Sequence, residues 1–249
     1  MPPLRAMLFD LWGTLIIDDP ERTEARRRHR AGTAKSALDD LGFRYDVAVI
    51  EAAFRAAAEQ HGRIHADGLD LSTDGRALLY LRALDESLPD RLDDDGWRRM
   101  HDAILTPARD IPPAAVPGAR DTLAAIKSLS LPTALVSNAG ITPGFVLREF
   151  IEAYGLAQYL DVLVFSDEVE LAKPSAAIFE HALDALGIDD PAHAAFVGDQ
   201  PVLDVLGPRN AGLWSIQLGD LSEDGIEPHA RIATLTDLIP TLHRLQLIA

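Results

Sequence analysis

The 249-residue chain contains no cysteine, which excludes disulfides, thiolate metal ligands and a cysteine nucleophile. That absence fits a reducing cytoplasm. Basic residues are also scarce: 23 Lys and Arg stand against 39 Asp and Glu, a formal charge of −16. So acidic a chain is a poor match for nucleic acid or an anionic membrane surface. An anionic small molecule would need local help from a cation or a helix N-terminus. No apolar run is long enough to span a bilayer. The apolar start is broken by Asp10 and continues as strand and turn, not as a secretion signal. The expectation is a soluble, cytoplasmic protein with a small-molecule partner. Nothing in the pattern sets an oligomeric state. What remains is a 47% apolar chain, enough for a sizeable core.

Short, nearly all-apolar runs recur at Ala6–Phe9, Thr133–Val136, Val162–Phe165, Ala194–Val197 and Leu213–Leu218. Such runs are expected of parallel strands buried on both faces. Residues 119–129 place Leu123, Ile126 and Leu129 on one helical face, and residues 175–186 do the same with Ile178, Phe179, Leu183 and Leu186. A last helix is expected over 235–245. Strand and helix in alternation predict an α/β fold with a doubly wound parallel sheet. Residues 18–113 differ, for their apolar residues recur at helical spacing: Val47, Ile50, Phe54 and Ala57, then Leu78, Leu81, Leu84 and Leu88. This interval predicts an inserted helical cap, with the α/β core made of 1–17 and 114–249. Hinges are expected near 16–20 and 108–118.

Ligands of such a sheet bind beyond the carboxyl ends of its strands. Asp10 follows the first strand, Ser137 and Asn138 the second, a loop reaching Lys173 the third, and Asp199 the fourth. Two carboxylates without a histidine or cysteine cluster describe a site for a hard, oxygen-ligated cation such as Mg²⁺. Asp10 and Asp199 are the first candidate ligands. Asp204 is either a further ligand or a cap of the following helix. Thr14, Ser137 and Asn138 can hold phosphate oxygens, and Lys173 adds positive charge. A carboxylate nucleophile could then accept a phosphoryl group.

These segments resemble the haloacid dehalogenase superfamily of hydrolases. FDLWGTL (9–15), LVSNAG (135–140), AKP (172–174) and VGDQPVLDVLGPRNAG (197–212) match its four motifs in order. The resemblance implies Asp10 as nucleophile, Thr14 and Ser137 as phosphate contacts, and Lys173 as the charge neutraliser. It also implies Asp199 as Mg²⁺ ligand and Asp204 as support for the metal.

Trp12 departs from the pattern. Phosphatases of the family usually carry an aspartate there as general acid and base. The backbone carbonyl of that position also ligates Mg²⁺, and Trp12 keeps it. Haloacid dehalogenases commonly have an aromatic residue at this position and need no metal, so an aspartyl-ester dehalogenase is the alternative reading. A degenerate binding protein is the third. The acids Asp199 and Asp204 favour the phosphatase. The run ERTEARRRHR (21–30) is expected to be a solvated helix face, the alternative being that one of its arginines contacts an anionic substrate. The eight histidines show no spacing that points to a shared metal site.

Overall fold

The computed structural model describes residues 3–248. The apolar run that leads into the first motif forms strand β1 (Ala6–Phe9), buried along its whole length. Its residues alternate between two cores: Met7 and Phe9 join one cluster of buried side chains, Ala6 and Leu8 the other. A strand covered on both faces has no polar side to show, which is why its sequence is continuous rather than alternating.

After β1 come the short strand β2 (Ile16–Ile17) and four helices, α1 (Pro20–Asp40), α2 (Val47–Ala66), α3 (Thr73–Leu84) and α4 (Asp94–Leu105). Strand β3 (Ala114–Ala115) then pairs antiparallel with β2, so the expected hinge segments meet in a two-stranded ribbon. The four helices enclose their own apolar cluster, with Ala31, Leu38, Ile50, Phe54, Leu81 and Met100 at its centre. Their starts carry side-chain caps from Asp19, Ser72 and Asp93 on α1, α3 and α4, the residue types that satisfy free N–H groups there.

The chain returns through α5 (Ala119–Ser128), β4 (Thr133–Ser137), α6 (Gly144–Ala153), β5 (Val162–Phe165), α7 (Ser166–Val169), α8 (Ala176–Leu186) and β6 (Ala194–Gly198). It ends with α9 (Gly207–Asn210), β7 (Trp214–Leu218), β8 (Ala230–Ile232) and α10 (Leu238–Arg244). The main sheet has the order β5-β4-β1-β6-β7-β8, and every pairing in it is parallel. This is the expected doubly wound α/β fold. It adds one strand to the five expected, β8, whose three residues are too short for a periodicity to register. The last helix is also shorter than expected, because Leu235–Asp237 forms a separate 3₁₀ turn with a capping box between Thr234 and Asp237.

The order places β1 between β4 and β6. The chain goes out from β1 to one side and comes back to the other, so the reversal point lies at the carboxyl ends of these three strands. A crevice is left there, and the sequence has put its chemistry-bearing residues at its rim.

Among the described residues, no helix is long and apolar enough to cross a membrane.

Candidate active site

Asp10 leaves the end of β1 with its amide N–H bonded to the Val197 carbonyl of β6 at 2.9 Å. Its carboxylate is buried, with Oδ1 2.6 Å from Lys173 Nζ. Lys173 Nζ donates equally to Asp204 Oδ1, also at 2.6 Å. One ammonium therefore bridges two buried acids. Thr14 closes the loop from the other side, its hydroxyl donating to Asp10 Oδ2 at 3.4 Å.

The third acid is Asp199, just past β6. Its Oδ2 accepts from Gln200 Nε2 at 2.6 Å, while its Oδ1 is buried without a hydrogen-bond partner. Two glycines permit this crowding. A Cβ on Gly13 would come within 2.6 Å of the Asp199 carboxylate, and one on Gly198 would collide with Asp204. Gly13 also has a φ of +79°, a region that favours glycine.

Carboxylate oxygens of Asp10, Asp199 and Asp204 lie within 4.8 Å of one another. Three acids against one ammonium is an imbalance, and the electrostatics record it. Burial, opposed by Lys173 and reinforced by Asp204 and Asp199, pushes the Asp10 carboxyl up to about 7. Burial and the Asp204 charge raise Asp199 as well. Burial works against the Lys173 ammonium, but the Asp10 and Asp204 carboxylates outweigh it and raise its pKa. The donor set is all oxygen, and one donor is an orphaned buried carboxylate oxygen. Both features fit a hard divalent cation.

The remaining expected residues fall into place unevenly. Ser137 ends β4 fully buried, its hydroxyl facing the Asn138 carbonyl at 3.4 Å. Asn138 has a further task beside the one expected of it. Its Nδ2 donates to the Lys173 carbonyl at 2.9 Å and its Oδ1 accepts from the Lys173 N–H at 2.8 Å. Both amide atoms are engaged in positioning the backbone of the lysine. Asp204 lies between two segments, its Oδ2 accepting from the Gln200 N–H at 2.9 Å while Oδ1 holds Lys173. Trp12 is half-buried against the core, with the Arg26 guanidinium 5.8 Å from its ring centre.

Two expectations are corrected. The arginine run is not simply a solvated face, for Arg26 and Arg30 are buried while Arg27 and Arg28 are exposed. Arg26 grips Asp18 with both terminal nitrogens and donates Nε to the Ile111 carbonyl at 2.8 Å, tying the two hinge segments together. The signal was present: Arg26, Arg30, Ala34 and Leu38 form one i, i+4 row that turns apolar. The histidines are the second correction. His61 and His65, one turn apart on α2, both face Asp70, with ligand atoms within 4.8 Å. His61 continues the Ile50, Phe54, Ala57 stripe, so its helical row could have shown it to be buried. The Asp70 carboxylate is nonetheless held by protein groups: Oδ1 by His61 Nε2 and the Leu71 N–H, Oδ2 by Arg76 Nη2 and Ser166 Oγ.

A cavity of about 740 Å³ lies between the inserted helices and the loops that follow β1 and β4. Trp12, Gly140 and Thr142 line its core side, and Arg30, Phe54 and Tyr80 its helical side. Its size suits a small organic ligand.

Comparison with known proteins supplies the wider frame. A phosphoserine phosphatase of Thermus thermophilus is 30% identical over 241 residues, covering 86% of this chain and 88% of that protein. The pyrimidine 5'-nucleotidase YjjG of Escherichia coli is 37% identical over 119 residues, 45% of this chain, and that match spans 53% of its length. A crystal structure of a 2-haloacid dehalogenase from Pseudomonas syringae superposes with a TM-score of 0.68 at 21% identity, covering 98% of this chain and 100% of that one, a likeness of fold. The family model for haloacid dehalogenase-like hydrolases matches residues 4–212, which include all four motifs and every carboxylate of the site. This chain belongs to the haloacid dehalogenase-like hydrolases.

Proposed function

We propose that this hydrolase removes a phosphoryl group from a small phosphorylated compound, with Mg²⁺ and through an aspartyl-phosphate on Asp10. The observation that carries the reading is the carboxylate triad of Asp10, Asp199 and Asp204 around Lys173, with its unpaired Asp199 oxygen. A haloalkanoate needs no such concentration of acids, whereas a phosphoryl dianion cannot approach them without a cation. Relatives named as phosphatases support the same reading.

Asp10, Asp199 and the Trp12 carbonyl would hold Mg²⁺, with Asp204 supporting it. When bound, the ion neutralises the nucleophile and the phosphoryl oxygens together. Lys173 opposes the rise that burial imposes on the Asp10 carboxyl and meets the incoming charge. Thr14 and Ser137 hold phosphoryl oxygens. An Asp10 oxygen attacks phosphorus, and the leaving oxygen departs with the electron pair of its P–O bond. Water then attacks the same phosphorus, gives up a proton to solvent, and frees the Asp10 carboxylate and inorganic phosphate. We read the four inserted helices as the cap that selects the substrate.

Trp12 shapes which substrates turn over. Its indole can donate a hydrogen bond but cannot shuttle a proton at neutral pH. General acid–base help is worth about 10²–10⁴-fold, so alkyl phosphates suffer and acyl or aryl phosphates do not. The test is phosphate release from acetyl phosphate with and without Mg²⁺, in the wild type and in Asp10→Asn. Mg²⁺-dependent release that the variant abolishes is expected. Trp12 beside Arg26 keeps aspartyl-ester dehalogenation as a second reading, and halide release from 2-chloropropionate without metal would favour it.

A further inference from the structure

Arg30 is 5% exposed, yet its charge has no anionic counterpart. Its Nε donates to the Ile104 carbonyl at 2.8 Å, and its Nη2 is buried without a hydrogen-bond partner. The charged neighbours within the protein make matters worse. Burial, together with the repulsion of Arg26 and Arg27, pushes the guanidinium down to about 10, with only Tyr80 opposing. A buried cation left unpaired is costly, and retaining one in a wall calls for a ligand. Arg26, by contrast, is fully matched by Asp18.

The surroundings say what such a ligand would be. Arg30 lines the cavity of about 740 Å³ whose core-side wall is Trp12, two residues beyond the nucleophile. Phe54 and Tyr80 flank it there, edge to face with ring centres 5.3 Å apart. None of the three acids that also line the cavity, Glu24, Glu51 and Glu59, forms an ion pair with Arg30, and Glu24 is engaged by Arg28 at 2.9 Å. A molecule whose phosphoryl group lay at Asp10 would run past Trp12 into this cavity, with its far end toward Arg30.

Building on the phosphatase reading, we infer that the substrate carries a second anionic group, a carboxylate or phosphate at the end remote from the transferred phosphoryl, and that Arg30 receives it against a partly aromatic wall. Arg30 is thus a specificity-determining residue, and a guanidinium offers the paired donors that an oxyanion accepts.

The test reads binding, not turnover. Benzylphosphonate and its 3- and 4-carboxy derivatives, which cannot be hydrolysed at the P–C bond, are titrated calorimetrically into the wild type with Mg²⁺ present. At least one carboxylated analogue is expected to bind ten times more tightly than benzylphosphonate or better. In Arg30→Met, which keeps volume and removes the charge, the preference should fall below threefold while benzylphosphonate affinity stays the same. Equal affinities in the wild type, or no binding of any of the three, overturn the inference whether or not the variant folds. A preference that survives in a folded Arg30→Met also overturns it. The underlying reading fails separately: a carboxylate preference without phosphate release from any ester leaves the Arg30 subsite standing and removes the phosphatase.

Discussion

At the scale of single residues, the site depends on two substitutions of size for function. Gly13 and Gly198 leave out the Cβ atoms that would block Asp199 and Asp204, and so let three acids share one small volume. Trp12 is large where those residues are small, and on the proposed phosphatase reading it stands where a second acid would reach the leaving group. Its consequence can be reversed. Trp12→Asp is expected to raise the rate on an alkyl phosphate by about 10²-fold or more, while changing acetyl phosphate little. Steady-state phosphate release from the two substrates checks this. Equal gains on both would mean that Trp12 acts by obstruction and not by the absence of a proton donor. Trp12 itself was plain in the sequence. The Gly13 contact was not, because a glycine before a threonine reads as an ordinary turn until the approaching Asp199, 186 positions along by difference of residue numbers, is seen.

At the scale of elements, the loop between α2 and α3 fastens the inserted helices to the sheet. Asp70 takes Ser166 Oγ from the core and Arg76 Nη2 from α3, and Arg76 reaches on to the Gly140 carbonyl at 2.6 Å. Burial works against its charge, but the His61 hydrogen bond, the His65 ring nitrogen 2.9 Å away and the charge of Arg76 outweigh it. The carboxyl is held far below the ordinary aspartate range. A depressed pKa contributes stability that is present above the unfolded value near 4 and is lost as pH falls below it. Asp70→Ala strands the buried Arg76 and should cost about 3–5 kcal/mol, read as a Tm about 10 °C lower at pH 7. The loss should shrink as pH falls below about 4, since the wild type itself gives up this contribution there. A Tm change independent of pH would show that packing, not charge, is what the residue supplies. Of this only the burial of His61 was legible in the sequence. His61 and His65 are one helical turn apart, but their common partner lies on a different element, and the histidines carry no motif.

At the scale of the whole molecule, the acidic site sets a conflict between folding and chemistry. The folded Asp10 binds its proton up to about 7, while the unfolded chain releases it near 4. Between those values the folded state holds more protons, so stability falls as pH rises through the window. A bound cation competes with those protons and stabilises most where they are gone. Mg²⁺ is therefore expected to raise the Tm more at pH 8 than at pH 5, and Asp199→Asn should remove most of the gain. Thermal unfolding with and without the ion at both pH values is the measurement, and an equal shift at both would contradict it.

The sequence by itself determined the alternation of strand and helix, the helical insert and the loop residues Asp10, Ser137, Lys173 and Asp199. Those features are written in local spacing: continuous apolar runs mean doubly covered strands, and a polar residue ending such a run must lie at the sheet's rim. Only the tertiary structure decided how the residues share work. Asn138 holds the Lys173 backbone, Asp204 joins Lys173 to Gln200, and Arg30 is a buried cation without a counter-charge. Each of these depends on a distance between segments far apart in the chain, and burial then converts that distance into a charge state. Periodicity reports which side of an element is hidden, but not what it is hidden against.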